Sequence, residues 1–263
     1  DCFILPYNEE EIFTTDFTKV TKTKIDRISK HKAFDKFIKI KFSHGRVITV
    51  TPEHPIFTAE NGEIITKRAD EMKIGDSIPI ALNIPLQGKE QYFDYKIFNN
   101  RAKNHIKVPA KNCKELFKVL GYIISEGSKE INREKIIGIS FTNTDERVLE
   151  DFEKSMEAVF NIKPYKQVRI DDNPCWFYRY ISTELAEFFK LVMPELLEKA
   201  GNKKIPDWAM RGEKDNVSYM LSTLFEGDGY VSAKERTIRI GYKTKSKRLA
   251  EQIQDLLLRF KIR

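Results

Sequence analysis

The sequence predicts a multidomain α+β protein, in which an all-β N-terminal region precedes a region of helices and strand hairpins. The length of 263 residues exceeds the usual size of one domain and suggests two folded units. Residues 1–82 contain short β-branched segments separated by turn signals, with no long helical pattern. From residue 112 onward, a helix–hairpin–helix pattern occurs twice.

The composition excludes several classes of protein. Hydrophobic residues make up 41%, which is enough for folded cores and argues against disorder. No apolar run reaches about 18 residues, and no secretory signal opens the chain, so we expect no membrane span and no export. The formal net charge of +7 permits a nucleic-acid partner without requiring one.

Three cysteines, Cys2, Cys113 and Cys175, are far apart and form no Cys-x-x-Cys pair. An odd number at these spacings argues against a disulfide scaffold and against a zinc knuckle. The pattern fits a reducing compartment, and we expect an intracellular, cytoplasmic protein.

The elements follow in order. In the N-terminal region, residues 37–42 and 46–51 read as strands, with turn dipeptides at His44-Gly45 and Asn61-Gly62. Residues 83–111 change character and read as a linker or an irregular subdomain. Thereafter the pattern predicts, in chain order, a helix from about 114 to Gly127, a strand at 136–142, a helix at 145–160, a hairpin within 165–180, and helices near 183–200 and 215–227.

The internal repeat is the most informative feature of this order. Residues 120–128 return as 222–230, with an offset of 102 between the glycines, and residues 141–152 return as 242–253, with an offset of 101 between the aromatic residues. The second copy lacks the roughly forty residues that follow the helix at 145–160 in the first copy. We therefore expect an incomplete second repeat.

Each repeated helix ends in a carboxylate followed by glycine, at Glu126-Gly127 and Asp228-Gly229. Glycine is expected there because many helices stop at a left-handed residue. A carboxylate is not, because the C-terminal end of a helix disfavours anions by roughly 0.3–1 kcal/mol. Each acid alone is an ordinary solvated helix end. Two acids in register suggest a shared function.

Small residues four positions apart would let these two helices pack closely: Gly121 and Ser125 on the first, Thr223 and Gly227 on the second. Side-by-side packing would bring Glu126 and Asp228 together at one end, where like charges and two helix dipoles repel. A divalent cation would relieve this repulsion, and hard oxygen ligands are those that Mg²⁺ prefers.

These two segments, residues 119–127 and 221–229, resemble the signature of the LAGLIDADG homing endonucleases. The resemblance implies Mg²⁺ (or Mn²⁺) bound by Glu126 and Asp228, and site-specific hydrolysis of double-stranded DNA. Two positions before the metal-binding acid the family usually has another acid; Ile124 departs from this in the first copy, whereas Glu226 retains it in the second. Thr223 replaces the usual interface glycine.

The same resemblance suggests further site residues. The run at 202–206 resembles the block that supplies a lysine near the active site, with Lys204 the first choice and Lys203 the second. The family's strands form a saddle over DNA, whereas Trp176, Tyr178 and Tyr180 are expected to pack against helices. Cationic residues on the two hairpins would contact DNA, namely Lys166, Arg169, Arg179, Arg236, Arg239, Lys243 and Lys245.

In the N-terminal region, the segment from Thr51 to Pro55 and the later run from Arg68 to Asp76 resemble the Hint splicing domain of inteins, an all-β horseshoe. A histidine between Glu and Pro in a turn is otherwise an ordinary surface residue. The resemblance implies that His54 protonates the leaving amide nitrogen, that Thr51 supports it by hydrogen bonding, and that Asp76 positions the fold.

The two resemblances together predict a large intein: a self-splicing Hint domain interrupted by a LAGLIDADG αββαββα pseudo-repeat endonuclease. Its divisions would be 1–82, the N-terminal part of the splicing domain; 83–111, the linker; and 112–263, the endonuclease domain. Neither an N-terminal nucleophile block nor a C-terminal His-Asn is visible. We therefore expect a monomeric fragment, embedded in a host protein before splicing, that does not splice as it stands.

Two alternatives stay open. The repeat could bind DNA without cleaving it, in an intein that only splices, or the chain could be an unrelated α/β binding protein in which Glu126 and Asp228 do not converge. The sequence identifies neither the host protein nor the DNA target.

Overall fold

The computed structural model describes residues 2–7, 11–32, 34–80, 88–94, 105–169, 175–234 and 237–262. The chain divides into two compact units, one formed by Asp1–Pro85 with Leu257–Arg263, the other by Leu86–Leu256. Helices and strands are mixed along the chain. Within the described ranges, no helix has the length and apolar character needed to cross a membrane.

The described residues of the N-terminal unit form four two-stranded antiparallel sheets. They pair β1 (Cys2–Pro6) with β4 (Arg27–His31), β2 (Glu11–Thr15) with β3 (Val20–Lys24), β5 (Ile38–Lys41) with β6 (Val47–Val50), and β7 (Pro55–Glu60) with β8 (Glu63–Arg68). Asn61 and Gly62 join β7 to β8 with φ angles of 51° and 86°, as an Asn-Gly hairpin turn requires. In the described part of residues 1–82, the only helical turn is the 3₁₀ turn Ala69–Glu71, and the other regular elements are strands.

The second unit contains most of the helices. In chain order its elements are α1 (Lys114–Glu126), β9 (Gly127–Asn132), β10 (Lys135–Asn143), α2 (Glu146–Phe160), β11 (Tyr165–Arg169), β12 (Cys175–Ile181), α3 (Thr183–Val192), α4 (Asp207–Met210), α5 (Lys214–Asp228), β13 (Gly229–Lys234), β14 (Thr237–Tyr242) and α6 (Lys247–Arg259). The strands form one sheet in the order β11-β12-β10-β9 and a separate hairpin, β13-β14. The helix expected near 183–200 is shorter than predicted, because Pro194 starts a separate 3₁₀ turn.

The order helix–hairpin–helix occurs twice, as α1-β9-β10-α2 and as α5-β13-β14-α6. In each copy the glycine after the helix pairs with an aromatic residue: Gly127 with Phe141, and Gly229 with Tyr242. The first hairpin has one extra residue, because its register shifts between Ile136 and Gly138. This bulge explains why the two sequence offsets differ by one.

Close packing of α1 against α5 forms the centre of the second unit. A Cβ atom on Gly121 would lie 2.1 Å from Thr223 Oγ1, and one on Gly227 would lie 2.3 Å from Ser125 Oγ. Equivalent positions of the two repeats thus face each other, as a local two-fold relation requires. The small-residue stripe predicted from the sequence is therefore the contact surface of the two helices.

Candidate functional site

The two helix ends place their carboxylates at the start of a strand. Glu126 is the last residue of α1 and Asp228 the last of α5. The glycines that follow are extended, with φ of −82° at Gly127 and −77° at Gly229, so the expected left-handed ending is wrong. Glycine is needed there for another reason: a Cβ would lie 2.6 Å from Ile123 Cα in the first copy and 2.1 Å from the Phe225 carbonyl oxygen in the second. Each helix therefore passes directly into its strand.

The two carboxylates lie in each other's electrostatic field. Glu126 Cγ is 3.5 Å from the position that a Cβ on Gly227 would occupy, one residue before Asp228. Burial raises the pKa of Glu126, and the negative charge of Asp228 raises it further. Burial also raises the pKa of Asp228. The ends of α1 and α5 thus lie side by side, with the two carboxylates near enough to interact electrostatically.

A buried lysine lies at the same helix end. Lys203 is 6% exposed, and its ammonium group donates to three carbonyl oxygens at the end of α1: Ile123 at 2.7 Å, Ile124 at 3.2 Å and Gly127 at 2.6 Å. The carbonyls of Ile123 and Ile124 lie in the last turn of α1, at the negative end of the helix dipole. Burial lowers the pKa of Lys203 to about 8, and its positive charge lowers the pKa of both Glu126 and Asp228.

The neighbouring Lys204 points elsewhere. Its ammonium lies 3.7 Å from Glu195 Oε1, and its side chain is 46% exposed. The structure therefore places Lys203, the second choice from the sequence, beside the carboxylates. Alternation offers a signal for this choice, since Ile205 is fully buried and residues two apart in extended chain point to the same side.

Sequence reasoning missed Tyr242. Its hydroxyl donates to Asp228 Oδ2 at 3.2 Å. The equivalent residue, Phe141, packs in the core against Phe152, with ring centroids 4.3 Å apart, and has no hydroxyl to offer. Strand pairing gives the only signal, because each aromatic residue pairs with the glycine after its helix.

The donor set fits a hard divalent cation. Two carboxylates at one helix-pair end supply the oxygen ligands that Mg²⁺ and Mn²⁺ prefer. The described residues contain no group of three or more His, Cys, Asp or Glu side chains arranged for a metal ion. A cation held by Glu126 and Asp228 would therefore complete its coordination with water or with oxygens of a bound phosphate.

The predicted DNA-binding cations lie in different environments. Arg179 and Ser140 share one sheet face, and the Arg179 guanidinium bonds to Glu130 at 2.6 Å. Lys166 pairs in register with buried Tyr178 on the opposite face, and its ammonium lies 2.6 Å from Glu153 of α2. Lys166 is thus on the helix side of the sheet rather than on its free face.

In the second hairpin, Arg239 is exposed opposite Ser232, and Lys243 and Lys245 follow β14 as exposed residues. Arg169 ends β11, but its side chain lies outside the described residues, as does the whole of Arg236. Tyr178 and Tyr180 are buried, and Tyr180 meets Phe152 of α2 edge to face, so the packing role predicted for these two residues is confirmed.

In the N-terminal unit, Thr51 and His54 belong to one turn. The His54 amide donates to the Thr51 carbonyl at 3.1 Å, and the His54 carbonyl accepts from the Ala69 amide at 3.0 Å. The His54 ring is exposed and Thr51 is half-buried. Asp76 accepts from the Lys73 amide at 2.9 Å, which closes a second turn.

Comparisons with known proteins match both parts of the chain. The model of the intein splicing domain matches residues 6–219, and that of the LAGLIDADG-like domain matches residues 215–263. Among solved structures, I-DmoI in complex with DNA and Mn overlaps 55% of this chain and 76% of its own, with a TM-score of 0.39 and 15% identity.

The chain is also similar to segments of three curated proteins of different kinds. The isomerizing glutamine–fructose-6-phosphate aminotransferase of Methanocaldococcus jannaschii is 24% identical over 97% of this chain. DNA-directed RNA polymerase subunit Rpo1C of the same organism is 30% identical over 100% of this chain. The RecA protein of Mycobacterium tuberculosis is 27% identical over 85% of this chain. The chain spans only 29%, 30% and 25%, respectively, of the length of these relatives.

Proposed function

The chain belongs to the intein splicing-domain family and carries a LAGLIDADG-like domain, and from this premise we propose that its second unit is a homing endonuclease. It would hydrolyse double-stranded DNA at the allele that lacks the intein, using Mg²⁺ or Mn²⁺. The observation that carries the proposal is the convergence of Glu126 and Asp228 at the ends of two closely packed helices, beside buried Lys203.

Each residue of this site has a distinct part. Glu126 and Asp228 hold the cation, which when bound supplies positive charge to the scissile phosphate and lowers the pKa of a water molecule. Burial raises the pKa of both carboxyls, and the charge of Asp228 raises the pKa of Glu126 further; two partly buried negative charges at one helix-pair end also make the pair attractive to a cation. Lys203 fixes the end of α1 through three carbonyl oxygens and adds fixed positive charge for the negative charge that develops on the phosphate.

DNA would lie along the polar faces of the two hairpins. Arg239, Lys243 and Lys245 are exposed in the second hairpin and would neutralise phosphates, which makes binding fall steeply with salt. Arg179 would join them by exchanging Glu130 for a phosphate. Arg169 and Arg236 stay predicted members of this set. Lys166, which is paired with Glu153, would instead stabilise the sheet against α2.

The N-terminal unit would serve splicing. His54 would donate a proton to the leaving amide nitrogen, and Thr51 would hold the scissile peptide by a hydrogen bond. The matched relatives are an aminotransferase, a polymerase subunit and a RecA protein, and this chain covers less than a third of each. Such a distribution fits a segment embedded in hosts of unrelated function, from which it excises itself.

A plasmid assay tests the proposed nuclease. A supercoiled plasmid carrying the host gene without the intein is incubated with the protein and Mg²⁺. We expect one cut at the junction, no cut with excess EDTA, and no cut in a plasmid that retains the intein. Salt-sensitive binding without any cleavage would instead support the alternative, a DNA-binding domain that has lost its nuclease activity. Absence of both would overturn the proposal.

A further inference from the structure

The two repeats differ at the residue that faces each site glycine. Tyr242 pairs with Gly229 and reaches back to the carboxylate of Asp228, with a distance of 3.2 Å from Oη to Oδ2. Phe141, at the equivalent place beside Gly127, is fully buried and packs against Tyr122 and Phe152. At this position the two repeats therefore differ by one hydroxyl group.

This hydroxyl orients Asp228. A hydrogen bond to Oδ2 restricts rotation of a short side chain and leaves Oδ1 free to meet a cation. Glu126 has one more rotatable bond, and within the described part of the chain its carboxylate makes no side-chain hydrogen bond. Asp228 is thus held in place before a cation arrives, whereas Glu126 must be ordered when it binds.

We propose that Tyr242 is a positioning residue for Asp228 alone, so that the two carboxylates contribute unequally to binding the divalent cation and the two DNA strands are cut at unequal rates. This inference rests on the proposed nuclease function. Each repeat contributes one carboxylate, and a DNA duplex offers each repeat one of its two strands. If one carboxylate is held in place and the other is not, the two DNA strands are cleaved at different rates, and a nicked intermediate accumulates.

Titration of the full chain with Mn²⁺, followed by the electron paramagnetic resonance signal of free Mn²⁺, tests the binding half. Hydrogen-bond partners of metal ligands typically contribute about 10–100-fold to affinity, so Tyr242→Phe should weaken Mn²⁺ binding by at least about tenfold. The matched control is Tyr219→Phe, which removes a hydroxyl nine positions before Asp228 on α5, about 13 Å along the helix axis. We expect its Mn²⁺ affinity to equal that of the unsubstituted protein.

The product pattern tests the second half. With the unsubstituted protein, nicked plasmid should rise before linear plasmid, and Tyr242→Phe should reduce the difference between the two strand rates by slowing the faster one. Unchanged Mn²⁺ affinity and an unchanged nicked fraction in Tyr242→Phe would overturn the inference while leaving the nuclease proposal intact. Absence of Mn²⁺ binding and of cleavage in the unsubstituted protein would overturn the nuclease proposal itself. Because phenylalanine already occupies the equivalent position in the first repeat, we expect Tyr242→Phe to fold, and its Tm provides the check.

Discussion

Substituting Glu126 by Gln is expected to lower the rate of DNA cleavage by roughly 10³-fold or more, the scale of losing a group that acts in the transition state. Glutamine keeps the length and shape of the side chain but removes the charge that would hold the cation. DNA affinity should change little, because the proposed phosphate contacts lie on the hairpins. Asp228→Asn should have the same effect.

The same substitution should raise the Tm at pH 7, which separates it from misfolding. Burial and the charge of Asp228 raise the pKa of Glu126 above its ordinary value of 4.5, so the folded state disfavours the ionised carboxylate more than the unfolded state does. The penalty is fully present above the raised pKa, where both states are ionised. It shrinks as the pH falls through the raised pKa, and it is absent below about pH 4.5, where the unfolded state is protonated as well. The gain in Tm from Glu126→Gln should therefore disappear at low pH.

Glu226→Gln is the matched control, because Glu226 lies exposed at the same end of α5. We expect Glu226→Gln to cleave DNA as the unsubstituted protein does and to change the free energy of unfolding by no more than about 0.5 kcal/mol. A Glu126→Gln protein that still cuts DNA, or that melts below the unsubstituted protein at pH 7, would contradict the role given to Glu126.

Substituting Lys203 by Met should lower the free energy of unfolding by about 1–3 kcal/mol, the usual cost of leaving a buried acceptor without its donor. Three carbonyl oxygens at the end of α1 lose their donor, and Glu126 and Asp228 lose a neutralising charge. Cleavage should fall at least about 100-fold, even where the protein is folded, because the fixed positive charge beside the phosphate is lost.

Lys204→Met provides the comparison in the adjacent residue. Its ammonium is half-exposed and is 3.7 Å from Glu195, so the change in stability should stay within about 1 kcal/mol, and cleavage should persist. Urea denaturation and plasmid cleavage of the two variants, side by side, decide which lysine belongs to the site. Loss of cleavage in Lys204→Met with retention in Lys203→Met would reverse the assignment.

The helix pair and its acids could be predicted from the sequence because local rules determine them. Small residues four apart on both helices predict close packing, and glycine directly after each acid predicts where the helices end. The repeat offset then places Glu126 and Asp228 at the same end. The structure bears out the packing of Gly121 on Thr223 and of Gly227 on Ser125.

The remaining features depend on tertiary contacts. Gly127 and Gly229 are extended because strands β9 and β13 begin at once, and this is not visible in a helix-ending pattern. Lys203 and Lys204 are the same residue type, and the fold distinguishes them by burying Lys203 against three carbonyl oxygens while Lys204 stays half-exposed beside Glu195. Tyr242 differs from Phe141 by one hydroxyl group, and its contact with Asp228 depends on strand register. The bulge at Ile136 likewise appears only once the hairpin is paired.

The central claim is that Glu126 and Asp228 together hold a divalent cation, and anomalous diffraction from Mn²⁺-soaked crystals of the full chain tests it most directly. The account predicts an anomalous peak at the ends of α1 and α5, within about 2.5 Å of carboxylate oxygens of both residues, and loss of that peak in Glu126→Gln. Mn²⁺ bound elsewhere, with none between these two carboxylates at saturating concentration, would contradict it.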